Sequence, residues 1–228
     1  MILSSYSTQD IVSAVATFST IAFFFTGIDI CLKIKRKGNT NGLSMFPFVA
    51  CTVCSVLWLR YGLLKTDMTL IYVNAAGAFI EFLYVLYFYS HADEKKPLHR
   101  MLLGATCILF ATLVYIKYLA EDVETAKYHL GLLCTFGAVI NFGAPLASIA
   151  EVLRTKSTEC LALPLCLANF VVALEWFIYG VIIHDSFVKI PNVLGSMLGV
   201  AQLSLFVMYP RTENPPRYDM SSPTLKAP

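Results

Sequence analysis

Four side chains carry the chemistry that this sequence has to offer: Trp58, Asn74, Trp176 and Asn192. They form two pairs at one spacing, because Trp58 and Trp176, like Asn74 and Asn192, are 118 residues apart. The chain holds only 2 tryptophans, and they match each other. An indole offers a flat apolar face and one N–H donor, while a carboxamide offers donors and an acceptor without a charge. Together these groups suit a neutral, hydroxyl-bearing ring, which asks for flat contact and amide hydrogen bonds but for no counter-ion. Taken singly, each tryptophan also fits an interfacial aromatic belt, and each asparagine a hydrogen bond between helices. The shared offset is what favours a pocket.

Membrane helices must position these residues. The 228 residues are 57% hydrophobic and 14% charged with a mean hydropathy of +0.66, outside the range of a soluble domain of this size. Charged residues gather in short clusters between apolar runs long enough to cross roughly 30 Å of hydrocarbon as helix. The pattern predicts seven spans, at Asp10 to Leu32, Leu43 to Leu64, Thr69 to Tyr89, Met101 to Leu119, Tyr128 to Glu151, Leu161 to Ile183 and Phe187 to Tyr209. Lys33, Lys35, Arg36, Lys37, Lys95, Lys96, Arg100, Arg154 and Lys156 all fall on one side, which the positive-inside rule makes cytoplasmic. The amino terminus is then outside and the carboxyl terminus cytoplasmic. Met1 to Gln9 has no basic residue and no small-residue cleavage site follows, so the first span is expected to stay. The 7 cysteines lie within apolar runs or at their cytoplasmic ends and read as free thiols.

The same offset of 118 residues reaches well beyond the four candidates. Without gaps it lays Thr17, Phe18, Phe24 and Arg36 on Thr135, Phe136, Phe142 and Arg154. It also lays Tyr61, Gly62, Asp67 and Gly77 on Tyr179, Gly180, Asp185 and Gly195. An offset spanning four helices leaves an odd helix between the copies, so both triplets cross in the same direction. The predicted fold is an all-α membrane protein of seven transmembrane helices, two parallel three-helix repeats joined by a linker helix. The repeats occupy residues 8–90 and 128–210, the linker helix and its loops 91–127, and a disordered cytoplasmic tail 211–228. Trp58 lies about six residues before the outer rim and Asn74 about five after it, some 8 to 10 Å deep at ~1.5 Å per residue. Trp176 and Asn192 repeat that depth, so a pseudo-twofold axis can gather all four.

At these residues the sequence resembles the SWEET sugar transporters, also called the MtN3/saliva family, over residues 8–210. The resemblance rests on Trp58 to Gly62 and Trp176 to Gly180, both Trp-x-x-Tyr-Gly, on Ile190-Pro191-Asn192 opening the seventh span, and on Lys156-Ser157-Thr158 after the fifth. It implies a facilitator that moves mono- or disaccharides down a gradient by alternating access, with no cofactor and no catalytic residue. It implies further that Asn74 and Asn192 bond sugar hydroxyls, that Trp58 and Trp176 stack on the ring, and that Tyr61, Tyr179 and Asp185 close an outer gate. Gly62, Gly180 and Pro191 join that gate by their place near the rim. Family prolines in spans one, two, five and six act as hinges of a cytoplasmic gate. Pro47, Pro145 and Pro164 fall at such positions, while Gly27 stands in the span-one place, opposite Pro145 in the repeat. Gly27 and the short tail resemble animal rather than plant members, which fits the plasma membrane or the Golgi. The implied partners are the sugar and the lipid bilayer; no nucleic acid is implied, and a homo-oligomer stays open.

Two indoles leave less room than a pocket with a small residue on one side, which favours a hexose such as glucose over a disaccharide. Asp29, Glu81, Glu151 and Glu175 are acidic residues within the spans. Glu81 shares a helical face with Asn74 and Gly77 and reads first as a buried, protonated carboxyl with satisfied hydrogen bonds, alternatively as a proton carrier. A seven-helix receptor is the main rival class, but it lacks a parallel internal repeat. A retinal protein needs a lysine deep in its last span, and Lys189 lies at the mouth. An enzyme needs a nucleophile and base, or metal ligands, facing one cavity. His91, His99, His129 and His184 are too scattered for a metal site. Amino-acid transporters of the same repeat type carry a Pro-Gln pair in each repeat, and this chain has none.

Overall fold

In hydrocarbon every backbone N–H and C=O must find a partner within the protein, and a helix meets that demand inside one segment. The computed structural model describes residues 7–211, and every regular element among them is helical. The order is α1 (Thr8–Phe24), α2 (Ile28–Lys37), α3 (Phe46–Lys65), α4 (Met68–His91), α5 (Lys96–Val114), α6 (Val123–Ile140), α7 (Gly143–Thr155), α8 (Leu163–Ile182) and α9 (Ser186–Met208). A 3-10 turn, Phe25–Gly27, joins α1 to α2, and a π-helical turn, Tyr115–Leu119, extends α5. Read as continuous spans, with α1 joined to α2 and α6 to α7, they make 7 helices long and apolar enough to cross a membrane. The tail expected over 211–228 lies outside the described residues, apart from Arg211.

The two triplets repeat local structure as well as sequence. Thr66 and His184 end α3 and α8 in the left-handed region, at φ 55° and 51°. Asp67 and Asp185 then cap α4 and α9, accepting from the N–H of Leu70 and from those of Phe187 and Val188. These turns are so tight that a Cβ on Gly62 would stand 2.9 Å from Leu70 Cβ, and one on Gly180 would stand 2.8 Å from the Lys189 backbone nitrogen. At the other end, which carries the basic clusters, Gly38 and Lys156 close α2 and α7 at φ 72° and 56°.

Within each triplet the third span lies between the other two: α4 packs on α1 and α3, and α9 packs on α6 and α8. The triplets meet along two seams, α1 against α8 and α3 against α6. Six spans therefore close into a ring in the order α1, α4, α3, α6, α9, α8. The linker α5 lies outside it, against α3. At the end with the tight turns, one buried cluster joins both triplets, with Leu57, Tyr61 and Leu70 from the first and Leu130, Trp176 and Tyr179 from the second. Toward the basic end the core divides into one cluster around Ile34, Phe48 and Phe88 and another around Val152, Leu161 and Leu205.

The prolines require a correction. Pro47 and Pro164, expected as pivots near the cytoplasmic ends of spans two and six, stand in the first turn of α3 and α8. First-turn N–H groups have no intrahelical acceptor, so proline there loses no bond and starts a helix rather than bending one. Pro145 follows the break at residues 141–142 and is third in α7. Gly27 does sit at a break, the 3-10 turn, where the Tyr84 hydroxyl donates to the Phe24 carbonyl at 3.2 Å. A Cβ at Gly27 would come within 2.4 Å of the Tyr84 ring, so Tyr84 demands glycine there.

Candidate functional site

The ring encloses a cavity of about 210 Å³ lined by Trp58, Asn74, Trp176 and Asn192, together with Pro191 and Gly195. Each indole is held edge-on against the tyrosine one helical turn further on, Trp58 on Tyr61 at 5.6 Å and Trp176 on Tyr179 at 5.5 Å between centroids. Each amide nitrogen donates to the carbonyl four residues back in its own helix, Asn74 to Leu70 at 2.9 Å and Asn192 to Val188 at 2.7 Å. One N–H and the amide oxygen of each asparagine remain for a ligand. The two helices thus present the same polar pair from opposite sides.

The two tryptophans are not equivalent. Trp176 donates its indole N–H to the Thr20 hydroxyl at 2.8 Å, across the α1–α8 seam, and beside it Ser19 hydrogen-bonds Glu175. In the other seam Ala138 and Gly137 stand where Thr20 and Ser19 stand, and Leu57 stands where Glu175 does. The Trp58 N–H has no partner among the described residues, and Ala138 lines the cavity.

Above the cavity, toward the tight turns, two hydrogen bonds cross between the triplets. Tyr61 donates to Asp185 at 2.8 Å, and Tyr179 donates to Asp67 at 2.9 and 3.0 Å. These bonds are related by the offset of 118, so each aspartate that caps a helix of one triplet also accepts a tyrosine from the other. Lys65 adds an ion pair to Asp185 at 3.1 Å. Both tyrosines are 1% exposed and Asp185 is buried, while Asp67 is half-buried. Gly62 and Gly180 lie at this level and let each helical hairpin close.

Pro191 is the one proline inside a helix among the described residues. Its missing N–H frees the carbonyl of Phe187, and the Thr135 hydroxyl of α6 donates to that carbonyl at 3.2 Å. Asn192 follows directly, and its side chain lines the cavity.

Glu81 does not lie among the cavity residues, and the expectation of a satisfied carboxyl is corrected: its Oε2 is buried without a hydrogen-bond partner. Thr20, Ser19, Glu175, Lys65 and Thr135 had no role assigned from sequence. Asp67 was within reach, since the offset that pairs it with Asp185 is the one that located the tryptophans.

The family model described as "Sugar efflux transporter for intercellular exchange" matches residues 10–96 and 128–214. Fold and match define the class: a seven-helix membrane transporter built from a duplicated triplet. Proteins named sugar transporter SWEET1 from Drosophila pseudoobscura pseudoobscura and Caenorhabditis elegans are each 37% identical over 88% and 89% of this chain, covering 89% and 66% of their own lengths. A solved structure of a eukaryotic SWEET transporter shares the fold at a TM-score of 0.78 and 23% identity, over 88% of this chain and 98% of that one. The chain belongs to the SWEET, or MtN3/saliva, family of sugar transporters and is a multi-pass integral membrane protein. The family is one of transporters, not enzymes.

Proposed function

We propose that the protein is a uniporter that carries a hexose such as glucose in either direction by alternating access. One observation carries the reading: an uncharged pocket of paired indoles and amides has one knit core on one side of it and two separate cores on the other. In the proposed orientation, with the amino terminus outside and the carboxyl terminus cytoplasmic, the Tyr61–Asp185 and Tyr179–Asp67 bonds are the closed outer gate. The path then leads from the pocket to the cytoplasm between the two triplets.

The sugar ring lies against the two indoles, and its hydroxyls bond the free amide groups of Asn74 and Asn192. Breaking the reciprocal tyrosine–aspartate bonds while the basic-end clusters meet converts one state into the other. The broken first spans, at Gly27 and ahead of Pro145, supply the bend, and Pro47 and Pro164 act as junctions between loop and helix. The moving bodies are residues 8–90 and 128–210, with 91–127 as the tether. A cavity of about 210 Å³ is below the roughly 300–1,000 Å³ of pockets that bury drug-sized ligands, which supports a single ring over a disaccharide. Plasma membrane and Golgi both fit this activity.

Radiolabelled glucose uptake and efflux in transport-deficient cells tests the proposal, with Asn192→Ala as control and sucrose and trehalose in parallel. Glucose flux in both directions that Asn192→Ala abolishes supports it. Efficient disaccharide flux without glucose flux overturns the substrate, and flux in one direction only overturns the uniport.

A second reading, proton coupling, is favoured by Glu81, whose buried Oε2 has no partner and whose electrostatic neighbours are Cys31, Cys51 and Tyr84. On the uniport reading Glu81→Gln leaves the pH profile of uptake unchanged. A pH dependence present in wild type and lost in that variant moves the assignment to coupling.

A further inference from the structure

A second cavity, of about 370 Å³, lies outside the ring, bordered by α3, α5 and α6 where two of the three form a seam. It runs from Phe46 to Leu57 on α3, from Arg100 to Ile108 on α5 and from Leu133 to Asn141 on α6. The α3 stretch alone is about 16 Å long at ~1.5 Å per residue, about half of the roughly 30 Å hydrocarbon core. The crevice thus begins at the basic end and stops near the bilayer centre, which is the reach of one acyl chain in one leaflet. Phe46, Ile108 and Ile140 along it are 53%, 50% and 53% exposed, so it opens toward lipid rather than toward the sugar pocket.

Its lining is apolar except at the ends of two helices, and the charge there is Arg100. Arg100 is exposed and makes no ion pair or hydrogen bond among the described residues, although Asp93 and Glu94 lie in the turn just before α5. A guanidinium at the membrane surface binds phosphate through two parallel N–H bonds. The geometry points to a bound phospholipid with an anionic headgroup, its phosphate on Arg100 and one acyl chain laid between α3, α5 and α6. Such a chain touches the linker and both triplets at once. Its assignment to the cytoplasmic leaflet, where anionic lipids concentrate, rests on the orientation proposed above; the binding itself does not.

Gly104 provides a clean test, because a Cβ added there would meet no heavy atom within 4 Å. Gly104→Leu puts a bulky side chain at the crevice from a position whose Cβ meets open space, and it improves helix propensity. Native mass spectrometry of the purified chain would compare retention of phosphatidylglycerol, phosphatidylcholine and free glycerol phosphate. Wild type is expected to retain phosphatidylglycerol about fivefold better than phosphatidylcholine, the ratio that corresponds to about 1 kcal/mol for one basic residue at an anionic surface. Arg100→Gln is expected to bring that ratio near one. Gly104→Leu is expected to lose both lipids with no loss of thermal stability. Phosphatidylglycerol with a photoreactive tail should crosslink to α5 and α6. Equal retention of the two lipids, retention by Gly104→Leu, crosslinks confined to other faces, or binding of glycerol phosphate as tight as that of the lipid would each overturn the proposal. So would a dimer that Gly104→Leu dissolves, since a second copy would then be the occupant.

Discussion

Removing with Tyr61→Phe and Tyr179→Phe both hydroxyls that bridge the triplets should open the end of the bundle that holds the tight turns. A hydrogen bond to a charged group contributes roughly 1.5 to 3 kcal/mol. Both bonds belong at the low end of that range, for different reasons. Asp185 keeps Lys65 at 3.1 Å and the N–H groups of Phe187 and Val188. Asp67 is only half-buried, so water replaces the tyrosine. At about 1.5 kcal/mol each, the pair shifts the equilibrium by about 3 kcal/mol, roughly a hundredfold toward the open form, and each single variant by roughly tenfold. Spin labels at Met68 and Ser186, equivalent exposed positions that start α4 and α9, would report the separation in a background lacking the native thiols. The double variant should add a longer distance to the distribution, with each single variant intermediate. An unchanged distribution in the double variant would refute the view that these bonds hold the gate.

Other consequences are equally open to measurement. Thr135→Val leaves the Phe187 carbonyl without its donor and should cost about 1 to 3 kcal/mol of stability; Pro191→Ala in that background restores an N–H and should recover most of it in thermal unfolding. Ala138→Thr recreates beside Trp58 the contact that Thr20 makes with Trp176, and should weaken glucose binding several-fold in titrations without lowering stability. Gly27→Ala should lower the melting temperature because its Cβ meets the Tyr84 ring, and Tyr84→Ala should relieve that particular loss.

What could be read from sequence was whatever the two triplets hold in common. The tryptophans, the asparagines and the tyrosines that bridge the triplets are identical at one offset, so a comparison of the chain with itself located them, and hydropathy located the seven spans. What it missed is where the halves differ. Thr20 is answered by Ala138 and Glu175 by Leu57, and no self-match marks such residues although they hold one seam. Thr135 does match Thr17, but its purpose depends on Pro191, which has only Val73 opposite it. Pro47 and Pro164 read as lying near the cytoplasmic ends of spans two and six, but apolar residues precede both, and hydropathy does not distinguish a loop at the membrane surface from the first turn of a helix.

A helix with an internal proline is commonly treated as a joint free to flex. In α9 that joint is pinned by its neighbour, because the carbonyl released at Phe187 is tied to Thr135 of α6. Straightening α9 would break that bond, so the proline couples α9 to α6 within the second triplet instead of freeing it. The two seams between the triplets contrast in the same way: one is tied by Thr20 and Glu175, while the other has alanine and leucine in their places.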